Sequence, residues 1–459
     1  MRQSVQSRGY WRRISTNRKL FNILVFLCLT LFIGIVIISC TSPDDRLCLV
    51  GESADPLDVV QSLRDPLVVI RPDVWRVTSL SCLALMEGDE AEKSKAMLYM
   101  KFNPYNSVNP YKLSREIEVK GCEAFKRHRF YDIQPVSTEE LEFPVAFSIL
   151  VHQDVDQLER LLNTIHRPHN SYCIHVDAKA PDDLLRAIRT IASCFSNVFL
   201  PPKLEVITYA HFSRLQADLN CMQELLNRGR TWKYVINLTG QMFPLKTNLE
   251  IVKILQTYEG SNDIEGLSRY VSISMKVRYR NKYVISKKKL IDSHIPKDPP
   301  PRNITLVKGS AYGAFSRAFI EYVLTDRLVQ DFLNWTQDIY SPDEFFWATL
   351  NSRWVNPMFR SPGGHDLPPE RKPWMTSYAA WKKRDGCGGK FVRDVCVFGI
   401  ADLPSLIDRR EMFANKFHAD FEYLTVDCLR EWLANKTKHQ LPIDLEFYRN
   451  IKRLLRIDA

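Results

Sequence analysis

The sequence predicts an α/β protein with a largely parallel central sheet, preceded by a single N-terminal transmembrane helix. Two observations predict it. From residue 145 to 238, short apolar runs typical of buried strands alternate with segments whose apolar residues recur at helical spacing. This alternation is typical of parallel sheets that are covered by helices on both faces. Residues 20–40 form one uncharged apolar stretch, which is long enough to cross a bilayer as a helix.

The charge ahead of the apolar stretch predicts its orientation. Six cations and no acids lie in the first nineteen residues, and such a cluster keeps its side of the membrane in the cytoplasm. We expect a cytoplasmic tail at 1–19, an anchor at 20–40 and a lumenal remainder. A cleaved signal peptide is the alternative, but its core is usually shorter and ends at small residues. The tail supplies six of the ten net positive charges, so the charge gives little support to nucleic-acid binding.

Cysteine usage agrees with an oxidising compartment. The chain has 11 cysteines; Cys28 and Cys40 fall in the predicted span, and nine remain beyond it. No Cys-x-x-Cys pair typical of zinc occurs, so disulfides are expected. Because nine is odd, one thiol remains, and Cys48, next to the membrane, is the candidate for pairing two chains into a homodimer.

Four Asn-x-Thr sequons are present. Asn237 falls within a predicted buried strand and is expected to be unmodified. The other three are expected glycosylation sites: Asn303, Asn334 and Asn435.

Polar residues follow the first two predicted strands. The strands are expected at 145–151, 172–176 and 234–238, with His152 after the first and Asp177 after the second. Ligands of parallel sheets bind at the carboxyl ends of strands, and these side chains suit a nucleotide's base and ribose. No Gly-x-Gly-x-x-Gly and no P-loop is found, which argues against a dinucleotide fold or an NTPase.

An acidic pair begins a predicted helix at Ser341-Pro-Asp-Glu-Phe-Phe-Trp347. Asp343 and Glu344 are explained equally well by a favourable interaction with the helix dipole. The functional interpretation makes Glu344 a general base in a pocket walled by aromatic side chains, where desolvation disfavours its charged form.

Two single cations, Arg393 and Lys416, lie within otherwise apolar stretches. Burial of either requires an anionic partner, which is a carboxylate or, equally well, a diphosphate. The Asp154-Val-Asp156 pair is interpreted as a helix N-terminal cap rather than a metal site, and no His/Glu cluster suggests zinc. A glycoside hydrolase needs a second acid that the sequence does not place, so that class stays open.

A set of ordered motifs between about Cys82 and Cys428 resembles the β-1,6-N-acetylglucosaminyltransferase family, which includes the core 2 and I-branching enzymes of glycosyltransferase family 14. The motifs include Phe143-Pro-Val-Ala-Phe-Ser-Ile-Leu-Val-His152, Tyr172-Cys-Ile-His-Val-Asp177, Trp232-Lys-Tyr-Val-Ile-Asn-Leu238, Gly309-Ser-Ala-Tyr312, Ser341-Pro-Asp-Glu344, Val395-Cys-Val-Phe-Gly399 and Phe413-Ala-Asn-Lys-Phe417.

The resemblance implies a single-pass type II membrane protein of the Golgi apparatus. A stem at 41–135, partly packed on the catalytic domain, would precede a GT-A-type nucleotide-sugar transferase domain at 136–459. The implied reaction moves N-acetylglucosamine from UDP-GlcNAc, with inversion and without a metal or other cofactor. The implied acceptor is the 6-hydroxyl of a galactose or N-acetylgalactosamine in an O-glycan or lactosamine chain, on a glycoprotein or glycolipid.

The resemblance also assigns residues. Glu344 would be the base, and Arg393 and Lys416 would neutralise the departing diphosphate. The remaining UDP-sugar-binding residues would be Leu150, Val151, His152, Asp177 and Tyr209, and the acceptor-binding residues Glu265, Arg278 and Trp381. The family's disulfides would join Cys82 to Cys428, Cys122 to Cys194, Cys173 to Cys221, and Cys387 to Cys396.

The chain departs from the family pattern on the acceptor side. Met242 stands where the family usually has Asp, and Lys383 stands where a core 2 enzyme has Tyr. The segment after Glu265 aligns poorly. Two other functions therefore stay open: a non-catalytic Golgi protein that binds glycans or partner transferases, and a transferase with another donor such as UDP-xylose.

Overall fold

The computed structural model describes residues 76–131, 137–229, 231–267, 273–368 and 373–455. The predicted tail, the apolar stretch 20–40 and Cys48 lie outside these residues. Among the residues that are described, no helix combines the length and the apolar character that a membrane span needs.

The strands, in chain order, are β1 (Val145–Val151), β2 (Ser171–Val176), β3 (Val198–Phe199), β4 (Tyr234–Thr239), β5 (Met242–Pro244), β6 (Asp263–Ile264), β7 (Asn281–Ser286), β8 (Lys289–Pro296), β9 (Gly313–Ser316), β10 (Ser377–Tyr378), β11 (Lys390–Val392), β12 (Val395–Val397) and β13 (Phe413–Asn415).

The α-helices are α1 (Cys82–Met86), α2 (Glu90–Phe102), α3 (Pro110–Lys120), α4 (Cys122–His128), α5 (Thr138–Glu142), α6 (Val155–Ile165), α7 (Asp182–Ser193), α8 (Ser213–Asn227), α9 (Asn248–Tyr258), α10 (Ile273–Arg280), α11 (Arg317–Thr325), α12 (Arg327–Trp335), α13 (Asp343–Asn351), α14 (Leu403–Ile407), α15 (Leu424–His439) and α16 (Leu445–Leu455).

The central sheet has the strand order β3-β2-β1-β4-β9-β6. β1, β2, β3 and β4 are parallel, while β9 runs antiparallel to both of its neighbours. The largely parallel sheet predicted from the sequence is therefore confirmed, with one antiparallel strand near its edge. The strands predicted at 145–151, 172–176 and 234–238 agree with β1, β2 and β4.

The sheet is buried on both faces. Every residue of β1 is buried; Phe147 and Ile149 pack in the apolar cluster that contains α6 and α7. Ala146 packs in the cluster on the other face, with α8 and α13. Because neighbouring residues of a strand point to opposite faces, this run of apolar residues is what a doubly covered parallel sheet requires. A third apolar cluster joins α1, β5, β12, β13 and α15.

The segment before β1 is more regular than its sequence indicates. Residues 82–128 contain four helices, although no sustained periodicity is visible there. The reason is that each helix buries few residues: α2 buries only Ala96, and α3 buries Leu113, Ser114 and Ile117. A weak apolar stripe gives a weak pattern.

Four disulfides link distant parts of the fold, and they join the four pairs that the family resemblance implies. They are Cys82–Cys428, Cys122–Cys194, Cys173–Cys221 and Cys387–Cys396.

The sequons differ in exposure. Asn237 lies in β4 and is fully buried, as predicted, while Asn303, Asn334 and Asn435 are exposed. Occupancy of those three remains a prediction.

Candidate active site

Two parallel strands end side by side at one edge of the central sheet. β1 ends at Val151, and the backbone N–H of Asp177, which follows β2, donates to the Val151 carbonyl (2.8 Å). His152 and Asp177 are electrostatic neighbours: burial lowers the pKa of the imidazole, and Asp177 opposes that shift. The structure therefore brings together the predicted residues at these strand ends, including Leu150.

Asp177 also orders the segment that carries Tyr209. Its Oδ1 accepts from the backbone N–H of Lys179 (3.0 Å) and of Ile207 (3.2 Å). Tyr209 is 68% exposed, and the Arg393 guanidinium carbon lies 5.2 Å from the centre of its ring. An aromatic face and a cation thus border the strand ends together.

Arg393 and Lys416 lie next to each other. Arg393 occupies the turn between β11 and β12 with φ +53°, a backbone region that is costly for a residue with a side chain. Lys416 follows β13, and its Nζ donates to the Val392 carbonyl (3.2 Å). Burial lowers the pKa of Lys416, and the neighbouring Arg393 lowers it further.

The sequence left open whether a carboxylate or a diphosphate partners these cations. Within the described ranges, neither Arg393 nor Lys416 forms an ion pair with a carboxylate. Arg393 is exposed and Lys416 is half-buried, and two adjacent cations form a concentrated positive site that favours a dianionic ligand.

Glu344 lies in the first turn of α13, the helix start predicted from the sequence. Its Oε2 accepts from Arg278 Nη1 (2.5 Å) and lies 3.1 Å from Lys308 Nζ. Arg278 itself lies against the ring of Tyr340, 5.4 Å from its centre, and Tyr340 is an electrostatic neighbour of Tyr209. The carboxylate and the cation pair therefore belong to one continuous site.

The aromatic residues that follow Glu344 in the sequence do not form the expected wall around its carboxylate. Phe345, Phe346 and Trp347 are fully buried in the core, because every residue of α13 except Glu344 is buried. The Glu344 side chain is 32% exposed and faces cations instead.

Of the two acids at the start of α13, Asp343 is the buried one. It is 7% exposed, with its Oδ2 4.0 Å from Arg214 Nε. Burial raises the pKa of the Asp343 carboxyl to about 6, an effect that Arg214 opposes and Glu344 strengthens. Arg214 is also paired with Asp218 (2.5 Å), so it does not depend on Asp343 alone.

We expect Asp343→Asn to stabilise the protein at neutral pH. The raised pKa means that Asp343 binds a proton more tightly in the folded state than in the unfolded state. Its contribution to the free energy of unfolding therefore falls as pH rises from about 4 to 6 and stays low at higher pH. At pH 7.5 the variant should gain about 1–3 kcal/mol in the free energy of unfolding. The gain should shrink as pH falls through 6 to 4 in denaturant titrations.

The matched control for that measurement is Asp331→Asn, at an exposed acid of α12, for which no pH-dependent gain is expected. A lower stability of Asp343→Asn at pH 7.5, or a gain that does not depend on pH, contradicts the assignment of a destabilising buried charge.

Gly309 allows three segments to meet at the site. Its N–H donates to the Glu344 carbonyl (2.7 Å). A Cβ at this position would lie 2.1 Å from the Glu265 carbonyl oxygen and 2.8 Å from the Ala348 Cβ. Only glycine fits between these chains, and the crossing places Lys308 and Glu265 beside α13.

Gly309→Ala is therefore expected to lower the free energy of unfolding by about 1–3 kcal/mol, the usual cost of overpacking. Thermal unfolding with Gly386→Ala as control checks this, since a Cβ on Gly386 would meet nothing within 4 Å. Equal melting temperatures for the two variants would contradict the close crossing.

Two of the predicted acceptor-side residues, Arg278 and Glu265, are neighbours of the Glu344 carboxylate. Burial raises the pKa of Glu265, while Lys308 and Arg384 oppose the shift. Trp381 is 45% exposed, and its backbone forms a bridge with Val395, next to the turn that carries Arg393. The turn thus connects the acceptor side to the cation pair.

Met242 does not lie open to the site. It is 1% exposed in the apolar core, and its Sδ accepts from the Thr239 N–H (3.4 Å). In this chain the position contributes to packing.

The Asp154-Val-Asp156 pair is structural, as predicted. Asp154 caps α6 by accepting from the Gln157 N–H (3.0 Å). Asp156 Oδ2 accepts from the Tyr105 hydroxyl and from Arg160 Nε, both at 2.8 Å. In the described part of the chain, the group of side chains spaced for a metal contains Cys387 and Cys396, whose sulfurs are joined as a disulfide.

Sequence reasoning missed Lys308 and Tyr340. Lys308 is a lone lysine before Gly309-Ser-Ala-Tyr312, and no pattern marks it out. Its importance depends on the crossing at Gly309, which brings residues far apart in the chain into contact.

The cation pair borders the carboxyl ends of the parallel strands β1 and β2, the edge at which ligands bind in open α/β sheets. Residues 145–407 match the model of the Core-2/I-Branching enzyme family. The chain is 37% identical over 375 residues to the human β-1,3-galactosyl-O-glycosyl-glycoprotein β-1,6-N-acetylglucosaminyltransferase, covering 79% of this chain and 87% of the relative.

The cattle enzyme of the same description is 38% identical over 378 residues, again covering 79% of this chain and 87% of the relative. A sheep relative, described as β-1,3-galactosyl-O-glycosyl-glycoprotein β-1,6-N-acetylglucosaminyltransferase 3, is 36% identical over 378 residues, covering 78% and 83% respectively. The chain belongs to the Core-2/I-Branching enzyme family and is a glycosyltransferase.

Proposed function

We propose that the protein is a GT-A-type inverting transferase that moves N-acetylglucosamine from UDP-GlcNAc to the 6-hydroxyl of a galactose or N-acetylgalactosamine of an O-glycan or lactosamine chain. The observation that carries the proposal is the adjacency of Arg393 and Lys416, in one site with the carboxylate of Glu344. Among the residues that the structure describes, neither cation forms an ion pair with a carboxylate. The descriptions of the relatives support the donor sugar and the β-1,6 linkage.

The donor binds along the strand ends. Leu150, Val151 and His152 border the uracil, and Asp177 accepts hydrogen bonds from the ribose. The diphosphate contacts Arg393 and Lys416, while Tyr209 stacks beside it. The two cations neutralise the charge that develops on the leaving UDP, a role that a divalent ion performs in other transferases. The reaction therefore needs no metal.

The acceptor binds between Glu265, Arg278 and Trp381. The free Glu344 oxygen removes the proton from the 6-hydroxyl as that oxygen attacks the anomeric carbon. The bond between that carbon and the β-phosphate oxygen breaks with its electron pair leaving on UDP. Attack from the face opposite the leaving group inverts the anomeric centre.

The protein acts as a single-pass type II protein of the Golgi membrane, with residues 1–19 in the cytoplasm, a stem at 41–135 and the catalytic domain at 136–459 in the lumen. Its partners are UDP-GlcNAc and a glycoprotein or glycolipid acceptor, and Cys48 joins two chains. The basis is the apolar stretch 20–40 and the cations before it.

The test uses secreted residues 41–459 with UDP-GlcNAc and core 1, core 3 and lactosamine acceptors, in EDTA, with products detected by mass. Addition of one N-acetylhexosamine is expected, released by a β-specific hexosaminidase. If sugar is transferred only when UDP-xylose replaces UDP-GlcNAc, the donor is UDP-xylose and the proposed donor is wrong. Absence of both transfer and UDP binding would favour the non-catalytic glycan-binding function.

A further inference from the structure

Glu344 holds two cations on the same oxygen. Arg278 Nη1 and Lys308 Nζ both lie against Oε2, at 2.5 and 3.1 Å. In the part of the chain that is described, no hydrogen bond engages Oε1. The two carboxylate oxygens therefore differ: Oε2 is held by protein side chains, and Oε1 is available to a ligand.

Lys308 is itself held rigidly. Its side chain is 14% exposed, and its Nζ also donates to the Gly309 carbonyl (2.6 Å). The Gly309 N–H in turn donates to the Glu344 backbone carbonyl (2.7 Å). Lys308 and Glu344 are therefore connected through both side chain and backbone, and a lysine held in this way loses little further rotamer entropy when it pairs.

We propose that Lys308 is a positioning residue that, together with Arg278, fixes Oε2 of Glu344 so that Oε1 faces the acceptor hydroxyl. This inference rests on the proposed function, because it assigns Lys308 a part in the same proton transfer. Lys308 touches Glu344 and not the reacting atoms.

The pairing orients the carboxylate, which raises the turnover rate, because small displacements of a reacting group are costly. Four other charged or titratable groups are neighbours of Glu344. They are Arg278 from α10, Glu265 after β6, Tyr340 just before α13 and Asp343 at its first position.

Removal of the lysine should therefore slow the chemical step without weakening donor binding. In Lys308→Met we expect kcat to fall roughly 10- to 100-fold, with KM for UDP-GlcNAc unchanged. Lys308→Arg, which keeps a cation beside Oε2, should restore most of kcat.

Lys95→Met is the matched control, because Lys95 is exposed on α2 and forms an ion pair with Glu92. Its kinetics should equal the wild type, and thermal unfolding should show that all three variants are folded. A wild-type kcat in Lys308→Met, or a loss of activity that appears in KM for UDP-GlcNAc and that Lys308→Arg does not restore, would overturn the positioning role.

Failure of the proposed function is distinguishable. If wild-type protein transfers no sugar, or if Glu344→Gln transfers at the wild-type rate, the proposed base is wrong and the role of Lys308 falls with it. If wild type transfers, Glu344→Gln does not, and Lys308→Met behaves as wild type, the positioning role alone is wrong.

Discussion

Glu344→Gln should abolish most sugar transfer while leaving the fold and UDP binding intact. A positioned general base contributes about 10²–10⁴-fold to the rate, and glutamine cannot accept the proton. The substitution keeps the shape of the side chain, and its amide oxygen still accepts from Arg278. We therefore expect kcat to fall by about 10³ with the UDP dissociation constant unchanged, measured by product mass and titration calorimetry.

Glu321→Gln is the matched control for this experiment. Glu321 is 52% exposed and paired with Arg317 along α11, so its variant should retain full activity. Residual transfer above about one tenth of wild type would exclude Glu344 as the base. Glu265, the neighbouring buried acid, would then be the residue to replace.

The parallel sheet could be predicted because its signal is local and strong. β1 is buried at every position and apolar at all of them except Ser148, and the helices α6 and α7 carry well-formed apolar faces. The N-cap at Asp154 is equally local, since the cap and the N–H that it satisfies are three residues apart. Such features depend on few neighbours, so one sequence is sufficient to predict them.

The surroundings of Glu344 could not be predicted in the same way. Arg278 and Lys308 are 66 and 36 positions away from it in the sequence. Lys308 lies beside the carboxylate because the chain crosses at Gly309, and Arg278 reaches it from α10. The aromatic residues beside Glu344 in the sequence face the core, so adjacency in the chain misidentified the neighbours of its carboxylate.

The site formed by Arg393 and Lys416 could be predicted from the sequence only in part. The sequence indicated that burial of Arg393 or Lys416 would require an anion, but in the structure Arg393 is exposed and Lys416 is half-buried. The sequence did not show that the two meet. Their contact depends on the β11–β12 turn, which the Cys387–Cys396 disulfide ties down, and on the end of β13.

Replacement of both cations, Arg393→Met with Lys416→Met, should remove the advantage that UDP has over uridine in binding. Each charge-assisted contact with phosphate contributes about 1.5–3 kcal/mol, so each single variant should weaken UDP binding by about 10- to 100-fold. The double variant should bind UDP no more tightly than uridine in EDTA. Uridine lacks the diphosphate and contacts only the strand ends, so its weaker affinity should be unchanged, as measured by calorimetry.

Lys390→Met is the matched control, because Lys390 lies in β11 of the same hairpin and its Nζ is 4.2 Å from the centre of the Phe421 ring. That variant should bind UDP as the wild type does, which separates the diphosphate site from general positive charge. Since the contacts are ionic, wild-type affinity for UDP should fall with added salt, and that dependence should be smaller in each single variant. Equal losses of UDP and uridine affinity in the double variant would mean that the hairpin has moved. Unchanged UDP affinity would mean that the diphosphate lies elsewhere and that metal-independent charge neutralisation by Arg393 and Lys416 is wrong.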